Sequence, residues 1–234
     1  MYQLTGLFLL IQLTLFARYI VYDAFHLQTY LSTFLLPLAA VGLYILGKWG
    51  MKNEQSYTPT NEVGWSFYHR QKVFLNQKKL YWGTEEKGYI QRYHEKKWLY
   101  IISDLFNVNF FTEIKVQISE DLFEFKPNKK KLFSKQDYWT VYKNKVEIGT
   151  AKTVFNMNNT RNFKEVLEFQ IGEDLYTTKA STLTSKITLF KEEVEIGSYQ
   201  NATLFKNVNE IHLSLEQFEQ LPYIVLHAFR LKNL

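Results

Sequence analysis

The chain has 234 residues and a modest net charge of +5, and it contains no cysteine. The absence of cysteine excludes disulfide bonds, thiolate zinc sites and cysteine nucleophiles. The mild positive charge gives little support for nucleic acid as a partner. The charged residues are unevenly distributed, because the first fifty positions carry only Arg18, Asp23 and Lys48.

Two apolar stretches occupy this nearly uncharged region, Met1–Tyr22 and Tyr30–Gly50, with the short connector Asp23–Thr29 between them. Each stretch approaches the ~20 residues that a helix needs to cross a bilayer. We therefore predict a transmembrane helical hairpin over residues 1–50. A cleaved signal peptide is the alternative for the first stretch, but signal peptides begin with basic residues and none precedes Arg18.

Basic residues follow the second apolar stretch, at Lys48, Lys52, Arg70 and Lys72, whereas the connector contains no lysine or arginine. Basic residues near the ends of membrane spans concentrate on the cytoplasmic side. The pattern predicts a two-span protein of the cell membrane, with the connector outside and the remainder of the chain in the cytoplasm.

Residues 51–62 are polar and contain Pro59, which predicts a linker, and residues 63–234 are long enough for one globular domain. In that domain short runs rich in Val, Ile, Tyr, Phe and Thr recur between turn signals. Residues 122–125 alternate apolar and polar side chains, which is typical of a strand with one buried face. We expect a mainly β fold, closed or sandwiched, without a phosphate-binding glycine loop.

Two segments of the domain repeat without a gap. Residues 142–150 read Tyr-Lys-Asn-Lys-Val-Glu-Ile-Gly-Thr, and residues 190–198 read Phe-Lys-Glu-Glu-Val-Glu-Ile-Gly-Ser. In each segment an aromatic residue ends one strand, polar residues form the turn, and Val-Glu-Ile begins the return strand. We predict two equivalent β-hairpins and therefore an internal structural repeat. Chance similarity between two ordinary hairpins is the alternative.

The C-terminal region departs from the strand pattern. Ser214 and Gln217 have the spacing of a helix capping box, and Pro222 suits the first turn of a second helical segment. Residues 223–231 are apolar nearly all round, and a helix of this kind is surrounded by protein or lipid. Because the segment is too short to cross a bilayer, we expect it to be buried in the domain, with Ile224, Leu226 and Phe229 deeply enclosed.

These features resemble the tubby-like C-terminal domains, which include the plant LURP-one-related proteins and bacterial relatives. The resemblance covers residues 63–234 and rests on the two Val-Glu-Ile-Gly hairpins and on the apolar segment 222–231. It implies a closed antiparallel barrel of about twelve strands around a C-terminal hydrophobic helix. Eukaryotic tubby domains bind phosphoinositide head groups through basic residues, but no specific motif for that site is present here.

Five lysines lie in the segment 126–135, where Pro127 and Asn128 place the start in a turn. Near a membrane such a segment can bind anionic lipid, at about 1 kcal/mol per base. A solvated loop is the alternative. A second basic segment, 87–97, contains interleaved aromatic residues, but half-exposed strands of any basic protein share that pattern. The candidate lipid-binding residues are Lys126, Lys129, Lys130, Lys131 and Lys135.

The sequence gives little support for catalysis. The five histidines lack metal-ligand spacing, and no hydrolase, zinc-protease or kinase motif is present, so we expect no metal and no cofactor. We expect a non-enzymatic, membrane-anchored module that binds a protein partner or anionic lipid head groups at the cytoplasmic face. Two alternatives stay open: an immunity protein against a toxin that acts on the cell envelope, and a lipid-handling protein, either scramblase-like or lipid-modifying.

Overall fold

The computed structural model of the chain describes residues 2–23, 26–59, 64–68, 77–96, 98–99, 112–128, 136–154, 164–181, 186–203 and 206–231. The chain forms two compact units. One unit contains residues 1–53 and 94–110, and the other contains residues 54–93 and 111–234.

The described N-terminal part of the first unit forms the helices α1 (Tyr2–Tyr22), α2 (Leu27–Thr33) and α3 (Leu35–Gln55). The helical stretches Gln3–Tyr22 and Leu27–Gln55 are long and apolar enough to cross a membrane, as the sequence predicts.

The second helical stretch is interrupted between Thr33 and Leu35. Pro37 explains the break, because its ring would clash with the carbonyl group four residues earlier, at Thr33. The break is tied to α1 through polar groups. Gln12 Nε2 donates a hydrogen bond to Thr33 Oγ1, and that hydroxyl donates to the carbonyl oxygen of Tyr30 at 2.7 Å.

The second unit is a closed antiparallel barrel of twelve strands, in which every strand pairs with its neighbours in sequence and β1 pairs with β12. This arrangement confirms the closed barrel expected from the sequence. The strands are β1 (Trp65–Tyr68), β2 (Lys78–Trp82), β3 (Glu85–Tyr93), β4 (Glu113–Ile118), β5 (Asp121–Pro127), β6 (Tyr138–Lys143), β7 (Val146–Thr153), β8 (Lys164–Ile171), β9 (Asp174–Ser181), β10 (Ile187–Lys191), β11 (Val194–Thr203) and β12 (Lys206–His212).

The barrel encloses the C-terminal helix α4 (Leu221–Leu231), of which every residue from 221 to 229 is buried. The ring of Phe229 stacks on Phe67 of β1 at 6.0 Å between centroids, and Tyr223 lies 4.9 Å from Phe169 of β8. Inward-facing side chains of the strands complete one continuous core. The predicted burial of Ile224, Leu226 and Phe229 is confirmed.

The repeated segments form equivalent hairpins, β6–β7 and β10–β11, as predicted. Their turn residues Asn144, Lys145, Glu192 and Glu193 all have positive φ, which a tight two-residue type I′ turn requires. Both hairpins also contain a register shift at the same place, directly before the aromatic residue of the repeat.

A third hairpin shares the geometry of these two. The β2–β3 hairpin has the same register shift, between Leu80 and Tyr81, and Gly88 pairs with Leu80 just as Gly149 pairs with Val141. A Cβ atom at Gly88 or Gly149 would lie within about 2 Å of a backbone carbonyl oxygen on the next strand, and at Gly197 it would meet Leu213 Cδ1 at 2.6 Å. The intervening β4–β5 and β8–β9 hairpins share the pattern Gln-Ile-x-Glu-Asp-Leu. The barrel is therefore assembled from related units of four strands.

The capping box predicted at Ser214 and Gln217 is wrong. Leu215–Gln220 is a 3₁₀ helix, and its N-cap Ser214 forms no side-chain capping hydrogen bond. The backbone NH of Gln217 instead donates to the carbonyl oxygen of Ser214, at 3.1 Å. Pro222 does occupy the first turn of α4, as expected.

The polar segment 51–62, predicted as a linker, is helical up to Gln55, and residues 54–59 then lie against the barrel. The hydroxyl of Tyr81 donates a hydrogen bond to the carbonyl oxygen of Tyr57 at 3.0 Å. Composition alone hides this packing, because a polar segment can be buried when each polar group has a partner.

Truncating Leu226 to alanine should lower the free energy of unfolding by about 2–5 kcal/mol, because the change leaves a cavity in the core. Leu226 is 1% exposed, whereas Val146 is 65% exposed and provides the matched control. Val146→Ala should change stability by less than about 0.5 kcal/mol. Denaturant unfolding measures both values, and equal small effects would contradict the enclosure of α4.

Candidate site at the loop end of the barrel

The two ends of the barrel are built differently. Five two-residue turns join β2–β3, β4–β5, β6–β7, β8–β9 and β10–β11 at one end, which we call the turn end. At the opposite end, which we call the loop end, β5 finishes at Pro127 and β6 begins at Tyr138. Helix α4 begins at the turn end, after β12, and finishes at the loop end.

The turn end is acidic. Four of its five turns carry two adjacent acids in the turn or directly after it: Glu85-Glu86, Glu120-Asp121, Glu173-Asp174 and Glu192-Glu193. Some of this charge is neutralised locally. Lys143 lies 3.2 Å from Asp121 and 2.7 Å from Glu219, and Lys191 lies 2.9 Å from Asp174. Exposed carboxylates remain in excess at this end.

Two basic side chains, Lys78 and Arg92, are buried at the loop end of the barrel. Lys78 is buried, and its Nζ atom lies 2.5 Å from Glu54 Oε1. Burial lowers the pKa of Lys78, and the ion pair with Glu54 opposes this shift. Arg92 is buried beside the end of α4, where its Nη2 atom donates to the carbonyl oxygen of Phe229 at 2.9 Å. Burial lowers the pKa of Arg92 to about 10, so the guanidinium stays charged near neutral pH.

A second arginine holds the same end of the helix. Arg230 forms ion pairs with Asp137, in the β5–β6 connection, and with Glu165 of β8. Its guanidinium also lies 5.8 Å from the ring of Trp139. Cations are favourable at a helix C-terminus because the carbonyl groups there carry partial negative charge. Arg92 and Arg230 therefore fix the end of α4 against the barrel wall.

Of the predicted lipid-binding residues, the structure describes Lys126; Lys129, Lys130, Lys131 and Lys135 lie outside the described residues. Lys126 is exposed near the end of β5, and its Nζ atom lies 5.2 Å from the ring of Tyr142. Among the residues that the structure describes, it forms no ion pair.

The ends of the lysine-rich segment are also described. The backbone NH of Asn128 donates to the carbonyl oxygen of Tyr138 at 2.7 Å, so the hairpin remains paired up to this point. Asn128 and Tyr138 therefore both lie at the loop end. Residues 129–135 contain four lysines and no acid.

The buried basic residues were not singled out from the sequence, although strand periodicity contains a signal for them. Lys78 lies two residues before the core residue Leu80, and Arg92 lies two residues after the core residue Ile90. Alternate residues of a strand face the same side, so both basic residues face inward. Their partners Glu54 and Phe229 are distant in sequence and become visible only in the folded chain.

His227 lies in the middle of the core, fully buried, with its Nδ1 atom 2.7 Å from Thr178 Oγ1. Burial, together with the positive charge of Arg230, lowers the pKa of His227 to about 3. The imidazole is therefore neutral at physiological pH and acts as a packed polar group. Among the described residues, no group of three His, Asp or Glu side chains has a geometry that could hold a metal ion.

Comparison of the chain with protein-family models, with characterised proteins and with solved structures gives no match. The resemblance to tubby-like domains accordingly rests on the sequence features alone and stays a prediction.

The buried imidazole should make the barrel less stable in mild acid. The unfolded chain protonates His227 near its ordinary pKa of about 6.5, whereas the folded chain does so only near 3, so stability falls as the pH drops through this range. Between pH 7 and pH 5 this contribution amounts to about 2 kcal/mol.

Unfolding measured at both pH values should show a smaller acid-induced loss in His227→Gln than in the wild type. The exposed His212 provides the matched control, and His212→Gln should retain the full loss. An unchanged pH dependence in His227→Gln would contradict a neutral, buried imidazole.

Proposed function

We propose that this chain is a membrane-anchored, non-enzymatic module whose loop end binds anionic lipid head groups at the cytoplasmic face. The observation that carries the proposal is the position of Glu54, which is paired with Lys78 at the loop end. The preceding residue belongs to the unit that contains the two apolar helices. Glu54 and Asn128, the residue directly before the lysines at 129–131, therefore lie at the same end of the barrel.

The charge distribution supports the same orientation. A lysine near an anionic membrane surface contributes about 1 kcal/mol to binding, so Lys126 and the four lysines of 129–135 together provide a substantial attraction. The acid pairs of the turn end lie roughly 20 Å away along the strands, beyond the Debye length of about 8 Å. Anionic lipid therefore attracts the lysines of the loop end, and the distant acids of the turn end contribute little repulsion.

Changing Lys129, Lys130 and Lys131 to glutamine should weaken binding of residues 54–234 to phosphatidylserine-rich vesicles several-fold at low salt. This fragment contains the whole barrel core, and its thermal unfolding should be checked first. The control changes three lysines near the turn end, Lys87, Lys145 and Lys191, and therefore removes the same charge.

Vesicle flotation measures the bound fraction. The wild type and the control should bind equally, and binding by both should fall as salt is added. Equal loss in the two triple variants would show non-specific charge attraction. If the wild-type fragment does not bind anionic vesicles, lipid binding is contradicted and binding of a protein partner becomes the better-supported function.

The proposed topology puts the C-terminus in the cytoplasm, because Lys48 and Lys52 follow the second apolar stretch. A reporter enzyme that is active only in the cytoplasm should be active when fused after Leu234, whereas a reporter that is active only outside the cell should be inactive at the same position. An external readout would reverse the orientation and remove the cytoplasmic leaflet as the surface that the loop end meets.

A further inference from the structure

A cavity of about 460 Å³ lies in the helical unit, between the last turns of α1 and the start of α2. Leu15 and Phe16 contribute apolar side chains to its lining. The other lining residues carry polar groups: Gln12, Arg18, Tyr19, His26, Thr29 and Tyr30. Its volume is in the range of ordinary small-ligand sites, which span about 300–1,000 Å³.

Arg18 gives the cavity a permanent positive charge. Among the residues that the structure describes, Arg18 forms no ion pair, and no acid lines the cavity. Asp23 is the one acid among the first fifty residues. Among the described residues, the charge of Arg18 in this cavity is therefore not compensated by an acid.

The position of Arg18 along α1 defines the kind of anion that can reach it. Gln3–Tyr22 is a 20-residue stretch. At 1.5 Å per residue it is about 30 Å long, which is the thickness of the hydrocarbon core. Arg18 lies four residues from its end, hence about 6 Å below the boundary. A side chain of this length extends to the head-group layer, where the lipid phosphates lie.

We propose that this cavity binds the phosphate of a membrane phospholipid, in the leaflet next to the connector between α1 and α2. The Arg18 guanidinium supplies the paired N–H donors that suit a phosphate. Thr29 and His26 supply further polar groups. Leu15 and Phe16 contact the first methylene groups of an acyl chain. An anionic head group is favoured because the cavity contains no acid. The inference rests on the proposal that these helices span a membrane, but not on the lysine-rich segment.

Native mass spectrometry of the full-length chain in mild detergent tests this site. After delipidation and titration with phosphatidylglycerol, the wild type should bind one lipid per chain. Arg18→Gln should weaken that binding roughly tenfold, the usual effect of losing a charge-assisted hydrogen-bond pair. Arg18→Lys should restore part of it, because the charge is kept.

Lys48→Gln is the matched control, since Lys48 is the only other base among the first fifty residues and is not in the cavity lining. This variant should bind the lipid like the wild type, and the triple glutamine variant at 129–131 should retain the one lipid whose binding depends on Arg18. The triple variant thereby separates this site from the proposed function of the loop end. The intact mass also shows whether the first helix is retained, which separates failure of the span from failure of the site.

Two results would overturn the proposal. Undiminished lipid binding by Arg18→Gln would remove the guanidinium from the site. Displacement of the lipid by inorganic phosphate at equal concentration would show a site for soluble anions, with no contribution from the acyl chain or the membrane.

Discussion

Enclosure of α4 is the constraint on which the barrel depends. A helix that is apolar on every side cannot face water, and twelve strands leave a lumen that their own side chains must share with something apolar. The strands place Phe67 and Phe169 against the helix, whose Phe229 and Tyr223 complete the contact. The helix and the wall therefore stabilise each other.

The direction of α4 makes the two ends of the barrel unlike. The helix begins at the turn end and finishes at the loop end, where Arg92 donates to the carbonyl oxygen of Phe229 and Arg230 forms an ion pair with Asp137. The short turns need tight backbone conformations and carry acids in the turn or directly after it. Glu54 is held at the opposite, loop end through its ion pair with Lys78. The functional proposal follows from this difference between the two ends.

Local patterns in the sequence predicted the apolar helices, the two Val-Glu-Ile-Gly hairpins and the burial of the last helix, because each depends on neighbouring residues. The sequence did not predict that the β2–β3 hairpin belongs to the repeat. Its turn contains Gly83 and Thr84, so the hairpin has the same backbone geometry as the other copies but little sequence similarity to them. The capping box failed because the residues after Ser214 wind as a 3₁₀ helix, in which backbone bonds replace the cap.

The candidate site was harder to foresee. Only the family resemblance predicted closure of the sheet, because the strand patterns alone are equally compatible with a β-sandwich. The ion pairs of Lys78 with Glu54, and of Arg230 with Asp137 and Glu165, join residues far apart in the chain. Composition marked Lys126 and its neighbours as basic, but only the fold shows that Lys126, near the end of β5, and Glu54 lie at the same end of the barrel.

Fluorescent labels at the two ends of the barrel, in full-length protein reconstituted into anionic vesicles, give the most direct test of this polarity. The chain has no cysteine, so single cysteines can be introduced at the exposed positions Asn128 and Lys145, one at each end. With quenchers attached to the lipid head groups, we expect strong quenching at position 128 and little at position 145. Equal quenching at both positions, or stronger quenching at 145, would contradict an orientation in which the loop end faces the membrane.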